Sequence, residues 1–309
     1  MTDNTRQQNS FSKLVTILRE SFSLLKRNDP LRLAGATAFF TTFALPPIIF
    51  ILAQLFGSLI GQRELNQGLI GNISEMVGTD GAKPVKQVLK SIHGFSNAWY
   101  VIIIGFLFLV FISTTLFLVI KSSLNQIWKI SITDRPGFTY FLVSRTKAFA
   151  VILVTGFLFW VGIFLESMEA VAGNYLNSLM TIGIVDFKFI FSKIGSVIVI
   201  GLWFFFLFRY LAEGRPNWKA CVAGSLVTSI FFMLGKWLLK ALLIDTNIGK
   251  LYGASGSFVL VLLFVFYCSF ILYYGACFIA IYSLKNDWPI IPKNQAYLYR
   301  IQKIKKPVE

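Results

Sequence analysis

Charge is scarce in this chain of 309 residues: Asp, Glu, Lys and Arg together make up 14%, where a soluble domain carries about 25%. That shortage, set beside 56% apolar residues and a mean hydropathy of +0.69, excludes an ordinary water-soluble domain. Histidine is reduced to His93 alone, and the three cysteines, Cys221, Cys268 and Cys277, all lie inside apolar runs. Metal-dependent hydrolysis needs clustered His, Asp or Glu ligands, and a zinc or disulfide framework needs suitably spaced cysteines. Neither pattern is present, so no metal, no cofactor and no enzymatic activity are expected, and the cysteines read as small packing residues. The 16% aromatic content, with 32 Phe, excludes a disordered chain, which lacks the apolar matter to collapse. An integral membrane protein remains.

A spanning helix needs roughly 20 predominantly apolar residues. Six stretches qualify: Ala34–Gly61, Ala98–Ile120, Ala148–Leu165, Phe189–Phe208, Ala220–Leu243 and Gly256–Leu284. The third is the shortest. The fold expected is therefore an all-α integral membrane protein, a six-transmembrane-helix bundle. Residues 1–33 form a tail, 34–284 the membrane domain and 285–309 a basic C-terminal tail. The first 33 residues are polar and mixed in charge, unlike a cleaved signal sequence.

Most of the 29 Lys and Arg residues fall in the two tails and in the second and fourth connections, whereas the acids divide evenly between the two faces. Basic residues stay on the cytoplasmic side, so both termini are expected there. The tail carries Phe11, Leu14, Val15, Leu18, Phe22 and Leu25 on one helical face, punctuated by Lys13, Arg19, Lys26 and Arg27. It reads as an amphipathic helix lying on an anionic leaflet or packed on the ends of the bundle; the two are compatible. The long external connection, 62–97, has Leu65, Leu69, Ile73 and Met76, then Val85, Val88, Leu89 and Ile92 after Pro84, at helical spacing. Two short helices that cap the bundle, or act as a lid, are expected there.

Polar chemistry meets the bilayer in two places. The first span carries Thr37, Thr41 and Thr42, then Pro46 and Pro47 at mid-depth. Tandem proline removes two backbone donors, and interrupted helices build the binding sites of many transporters. A broken helix beside a cavity is the functional reading; a kink fixed by packing is the plain one. Lys236 lies inside the fifth span, where an ammonium must snorkel, pair or face water, and Glu166 or Glu169 are its candidate partners. The last span opens with Tyr252-Gly-Ala-Ser255-Gly-Ser257 and later carries Tyr273-Tyr-Gly-Ala276. Its glycines, like Gly57 and Gly61, suit close helix packing. Thr37, Thr41, Thr42, Pro46, Pro47, Lys236, Tyr252, Ser255 and Ser257 are thus the candidates for a substrate cavity. Arg145, Arg209 and Arg215 are candidates for holding anionic headgroups, with snorkelling anchors as the alternative.

Five segments in order resemble the YihY/BrkB family of bacterial inner-membrane proteins. They are Ala38-Phe-Phe-Thr-Thr-Phe-Ala-Leu-Pro-Pro47, Asn125-x-x-Trp128 with Arg145, Arg209-Tyr210 with Arg215, Trp218 and Gly224, Tyr252-Gly-Ala-Ser-Gly256, and Tyr274-Gly-Ala-Cys277. The chain departs from the family pattern at Phe39, Phe40, Ala44 and Cys277, losing hydroxyls and a carboxylate. The resemblance implies six helices with internal termini. Some members have carried a tRNA-processing ribonuclease label, which this chain cannot support with one histidine. Its basic face is accounted for by lipid headgroups, so no nucleic-acid partner is expected. The leading expectation is a transporter or flippase-like protein for a lipid, lipid-linked or amphiphilic substrate, with anionic membrane lipids as partners. The alternative is a non-transporting scaffold with an envelope protein partner. GxxxG serves within a chain or between chains, so the oligomeric state stays open. A phosphatase fused to the C-terminus should be inactive and a fluorescent protein there bright; an active phosphatase overturns the orientation.

Overall fold

The computed structural model describes residues 2–60, 70–71, 73–74, 78–79, 81–91, 99–132, 137–179, 185–239, 256–293 and 296–300. The chain runs α1 (Thr2–Lys26), α2 (Pro30–Ile60), α3 (Lys83–Ser91), α4 (Trp99–Ile127), β1 (Ile130–Ile132), α5 (Phe138–Leu179) and α6 (Val185–Phe206). A π-helical turn, Leu207–Leu211, ends α6. β2 (Gly214–Arg215), α7 (Trp218–Leu239), α8 (Gly256–Lys285), β3 (Ile291–Pro292) and β4 (Ala296–Leu298) follow. The first external-loop helix, expected around Leu65 and Met76, lies largely outside the described residues.

Among the described residues, five helices hold runs long and apolar enough to cross a membrane: Pro30–Leu52, Leu107–Ile127, Phe138–Gly162, Trp218–Leu238 and Phe258–Lys285. Among the described residues α6 adds a shorter apolar stretch, Val197–Leu211. The protein is an all-α integral membrane protein. The third expected span, the shortest by hydropathy, belongs to a helix of 42 residues. Hydropathy ends where Lys147 and Glu166 begin, but such side chains are good helix formers and the backbone ladder runs on past the apolar segment.

The helix ends have local causes. Pro30 starts α2 at the position where its missing N–H costs nothing. The Asn217 side chain accepts from the Lys219 N–H at 3.0 Å, capping the start of α7. Lys129 and Asp287 take left-handed backbone angles (φ 53 in both). After α8 the Trp288 N–H bonds back to the Ser283 carbonyl at 2.9 Å, the C-terminal cap that turns the chain sharply away.

α2 packs between α4 and α8, and α8 in turn against α7 and α1. Leu33, Ala38, Ala44, Leu124, Tyr273 and Ala276 are buried there. Lipid provides no drive for helix association, so close approach of small residues supplies it. A Cβ at Gly224 of α7 would fall within the Ile279 side chain of α8; one at Gly275 of α8 would meet Thr228 of α7. Gly275 is thus a packing glycine, as its sequence setting suggested, and Cys221 and Cys277 are fully buried.

The first span corrects the expectation of a broken helix. α2 is a single helix of 31 residues with Pro46 and Pro47 inside it. Each proline deletes one ladder bond, to Thr42 and Phe43 respectively, yet proline backbone angles are compatible with a helix. Ala44, Pro47, Ile49 and Ile51 are buried on both sides of the pair, so packing holds the flanking turns in place. Pro84, in contrast, begins a helix: α3 buries Val85 and Leu89 and packs on α2.

α1 crosses α8. Ile17, Ser21 and Leu25 are buried, Tyr274 donates its hydroxyl to the Leu18 carbonyl at 3.1 Å, and Lys285 pairs with Glu20 at 2.6 Å. Leu14, Val15 and Phe22 remain exposed. Two short antiparallel ladders close the same end: β1 with β4, register Ile130↔Leu298, and β2 with β3, register Arg215↔Ile291. The C-terminal strap thereby pairs with both the α4–α5 and the α6–α7 connections. Gly224→Val should cost about 1–3 kcal/mol through overpacking, read as a lower melting temperature in detergent. A melting temperature equal to wild type would contradict the α7–α8 contact.

Candidate functional site

Polar chemistry concentrates where the strap meets the helix ends. The π turn stops at Ala212, whose backbone is extended, and its last carbonyls lack helical partners. Lys293 supplies one cation to both, reaching the Ala212 carbonyl at 2.5 Å and that of Tyr210 at 3.3 Å. The Lys293 N–H donates to the Glu213 carbonyl at 2.9 Å, and the Glu213 N–H donates to Asn125 Oδ1 of α4 at 2.9 Å. Gly214 then passes so close to β1 that a Cβ would lie 2.5 Å from Ile130 Cδ1 and 2.8 Å from the Trp128 ring. Trp128 is anchored in turn, donating its indole N–H to the Ala276 carbonyl at 3.0 Å.

This framework buries Glu213 against Lys121 of α4. Their side chains are 5% exposed each and 2.5 Å apart. Lys121 gives its other two protons to Tyr140 Oη at 2.9 Å and Ser144 Oγ at 3.0 Å, so all three of its donors are used. Tyr140 passes a hydrogen bond on to Glu213 Oε1 at 3.3 Å, and Lys147 of α5 approaches the same oxygen at 3.8 Å. Burial alone would raise the Glu213 pKa, but the Lys121 hydrogen bond and the charges of Lys121, Lys147 and Lys293 prevail and hold it below the ordinary value. Lys293 is lowered to about 8, first by its own burial; Glu213 opposes the shift, and Lys147, Lys121 and Arg215 add to it.

Beside the pair opens a cleft of about 630 Å³. Thr139, Tyr140, Lys147, Glu213, Arg215 and Lys293 give it polar walls, and Val143, Ile291 and Pro292 an apolar side. Thr139 and Tyr140 belong to the first turn of α5, where the helix dipole favours anions; the Tyr140 N–H is itself spent on the Gly137 carbonyl at 3.0 Å. Lys147 is 39% exposed at its side chain, and Arg215 is exposed with no side-chain partner among the described residues.

Of the arginines proposed for headgroups, Arg215 alone lines this cleft. Arg209 donates to the Pro216 carbonyl and ties the α6–α7 turn together. Arg145 points along α4, donating to the Phe111 carbonyl at 2.8 Å and Thr114 Oγ1 at 2.7 Å, with its guanidinium 3.9 Å from the Phe111 ring centroid. The threonines of the first span satisfy their own helix: Thr41 donates to the Thr37 carbonyl at 2.7 Å and Thr42 to that of Ala38 at 2.8 Å. Thr37, buried, bonds the Leu33 carbonyl at 3.0 Å and the Tyr273 hydroxyl. Lys236 is half-buried on α7 and engaged within the protein. Tyr252 and Ser255 lie outside the described residues, as do the side chains of Ser257, Glu166 and Glu169. The sequence reading missed Lys121, Tyr140 and Glu213 as site residues and took Lys147 and Lys293 for orientation charges. The available signal was Glu213 itself, a lone acid between Arg209 and Arg215.

Residues 21–295 match the family model described as virulence factor BrkB. A UPF0761 membrane protein of Aggregatibacter aphrophilus (strain NJ8700) is 25% identical over 246 residues, spanning 77% of this chain and 82% of its own length. No solved structure matches the chain.

Glu213→Gln strips a buried ammonium of its counter-charge, which costs about 3–5 kcal/mol in comparable pairs, whereas an apolar replacement of both partners is near neutral. Unfolding titrations should therefore show Glu213→Gln far less stable than wild type and Lys121→Met/Glu213→Leu largely restored. Because the folded-state pKa of Glu213 is lowered, its stabilisation is complete above the ordinary carboxylate pKa and disappears as pH falls through the lowered value. The acid limb of the stability profile should flatten in the double variant.

Proposed function

Because the chain belongs to the BrkB family of membrane proteins, we propose that it recognises an anionic amphiphile of the bacterial inner membrane in the basic cleft and serves its flippase-like transport. The carrying observation is the convergence of Lys147, Arg215 and Lys293, from three separate elements, on one cleft at the bundle end. In this reading that end is cytoplasmic, as the distribution of basic residues favours. With α6 counted as the fourth of six crossings, the α4–α5 and α6–α7 connections fall on the same side. Exposed Leu14, Val15 and Phe22 of α1, with Lys26 held 4.9 Å over the Phe22 ring, seat the N-terminal helix in the anionic leaflet. The substrate site moves accordingly from the proline pair to the cleft.

The continuous α2, with Thr37 packed against Tyr273, favours a second reading: a non-transporting scaffold that holds lipid in the cleft and an envelope protein elsewhere. One experiment separates them. The purified chain is reconstituted in vesicles containing phosphatidylglycerol, and both retained lipid and transbilayer movement of a fluorescent anionic lipid are measured. Retention should fall about fivefold in Arg215→Gln, corresponding to roughly 1 kcal/mol per basic residue. Movement above that of protein-free vesicles, lost in the same variant, supports transport. Retention without movement selects the scaffold, and no retention overturns headgroup recognition.

A further inference from the structure

We infer that the cleft is built for a phosphoryl group carrying more than one negative charge, the phosphomonoester or pyrophosphate end of an amphiphile, in preference to the singly charged phosphodiester of common phospholipids. The inference rests on the reading of the cleft as a headgroup site and adds the class of headgroup.

The argument begins with charge. Lys121 is neutralised by Glu213 and has no donor left. Lys147, Arg215 and Lys293 then face the same space with no second carboxylate among its lining residues. A single phosphodiester would leave most of that excess uncompensated, whereas a phosphomonoester carries about −1.5 to −2 at neutral pH and a pyrophosphate more. The like charges also act on one another: Lys147, Lys121 and Arg215 all depress Lys293, a repulsion that a multivalent anion relieves.

Geometry points the same way. The three cations stand on α5, β2 and the strap, and all three line the one cleft. Arg215 offers a planar fork suited to two phosphate oxygens. Lys293 spends two donors on carbonyls and retains a third. The first turn of α5 adds the hydroxyl of Thr139 and the positive end of the helix dipole. An amphiphile suits the cleft better than a free phosphate because one side of it is apolar: Val143 and Ile291, which line it with Pro292, are 50% and 62% exposed, forming a surface for acyl chains beside the charged pocket.

The test uses the full chain in nanodiscs of phosphatidylcholine doped with equal mole fractions of phosphatidic acid or phosphatidylglycerol, at pH 7.5. Retained lipid is counted by native mass spectrometry. Phosphatidic acid should be retained at least tenfold more than phosphatidylglycerol. Arg215→Gln and Lys147→Gln should each erase the preference while melting as wild type does. Equal retention of the two lipids, both reduced by the variants, overturns this inference and leaves headgroup recognition standing; retention of neither overturns both. Inorganic pyrophosphate is added as the soluble arm. Displacement of phosphatidic acid by pyrophosphate supports the shared chemistry, and pyrophosphate binding without phosphatidic acid retention overturns the lipid source.

Discussion

A buried ammonium group is tolerable only if its protons are donated, and Lys121, 5% exposed at the end of a membrane helix, meets that demand through Glu213, Tyr140 and Ser144. These partners come from α5 and from the turn after α6. The pair therefore fixes three elements relative to one another, and the desolvation cost of two buried charges is offset by saturating their hydrogen bonds. Everything else at this end follows from the resulting position of Glu213. Its backbone is gripped by Asn125 and by the strap, and its neighbour Gly214 closes onto Trp128 and Ile130. Without that carboxylate the surrounding lysines would repel one another and the cleft would have no floor.

The membrane part of the bundle obeys a different constraint, since lipid offers neither hydrogen bonds nor hydrophobic drive. Span hydroxyls are consequently turned back onto their own helices, as in Thr41, Thr42, Thr228 and Ser269. The helices approach through glycine and alanine. This division puts the ligand chemistry at the end of the bundle, where the backbone leaves helical geometry and has carbonyls to be capped. The π turn and Lys293 are two aspects of one solution: the wider turn frees carbonyls, and the strap returns a cation to them.

Hydropathy alone made five spans legible, because an apolar run of membrane length has few other uses. The gathering of the tails and two connections at one end was legible from Lys and Arg placement. Three things were not. The length of α5 escaped because its apolar centre is short while its polar ends remain helical. The prolines of α2 misled because a local rule about the ladder ignores the packing of Ala44, Pro47 and Ile51. The cleft escaped because Lys147, the Glu213-Gly-Arg215 segment and Lys293 lie far apart in sequence, and a count of basic residues treats each lysine and arginine as an equal contribution to a bulk field. Only the closure of β2 on β3 makes Arg215 and Lys293 neighbours.

The strap also has a temporal meaning. Lys121 leaves the ribosome well before Glu213, and Lys293 and the last ladder strand emerge later still. During membrane insertion α4 therefore carries an uncompensated charge, which keeps its end at the water interface until the downstream hairpin arrives. The final residues then act as a latch that records completion. A chain cut short of β3 would keep the Lys121–Glu213 pair but leave the Tyr210 and Ala212 carbonyls without the cation that Lys293 brings back to them.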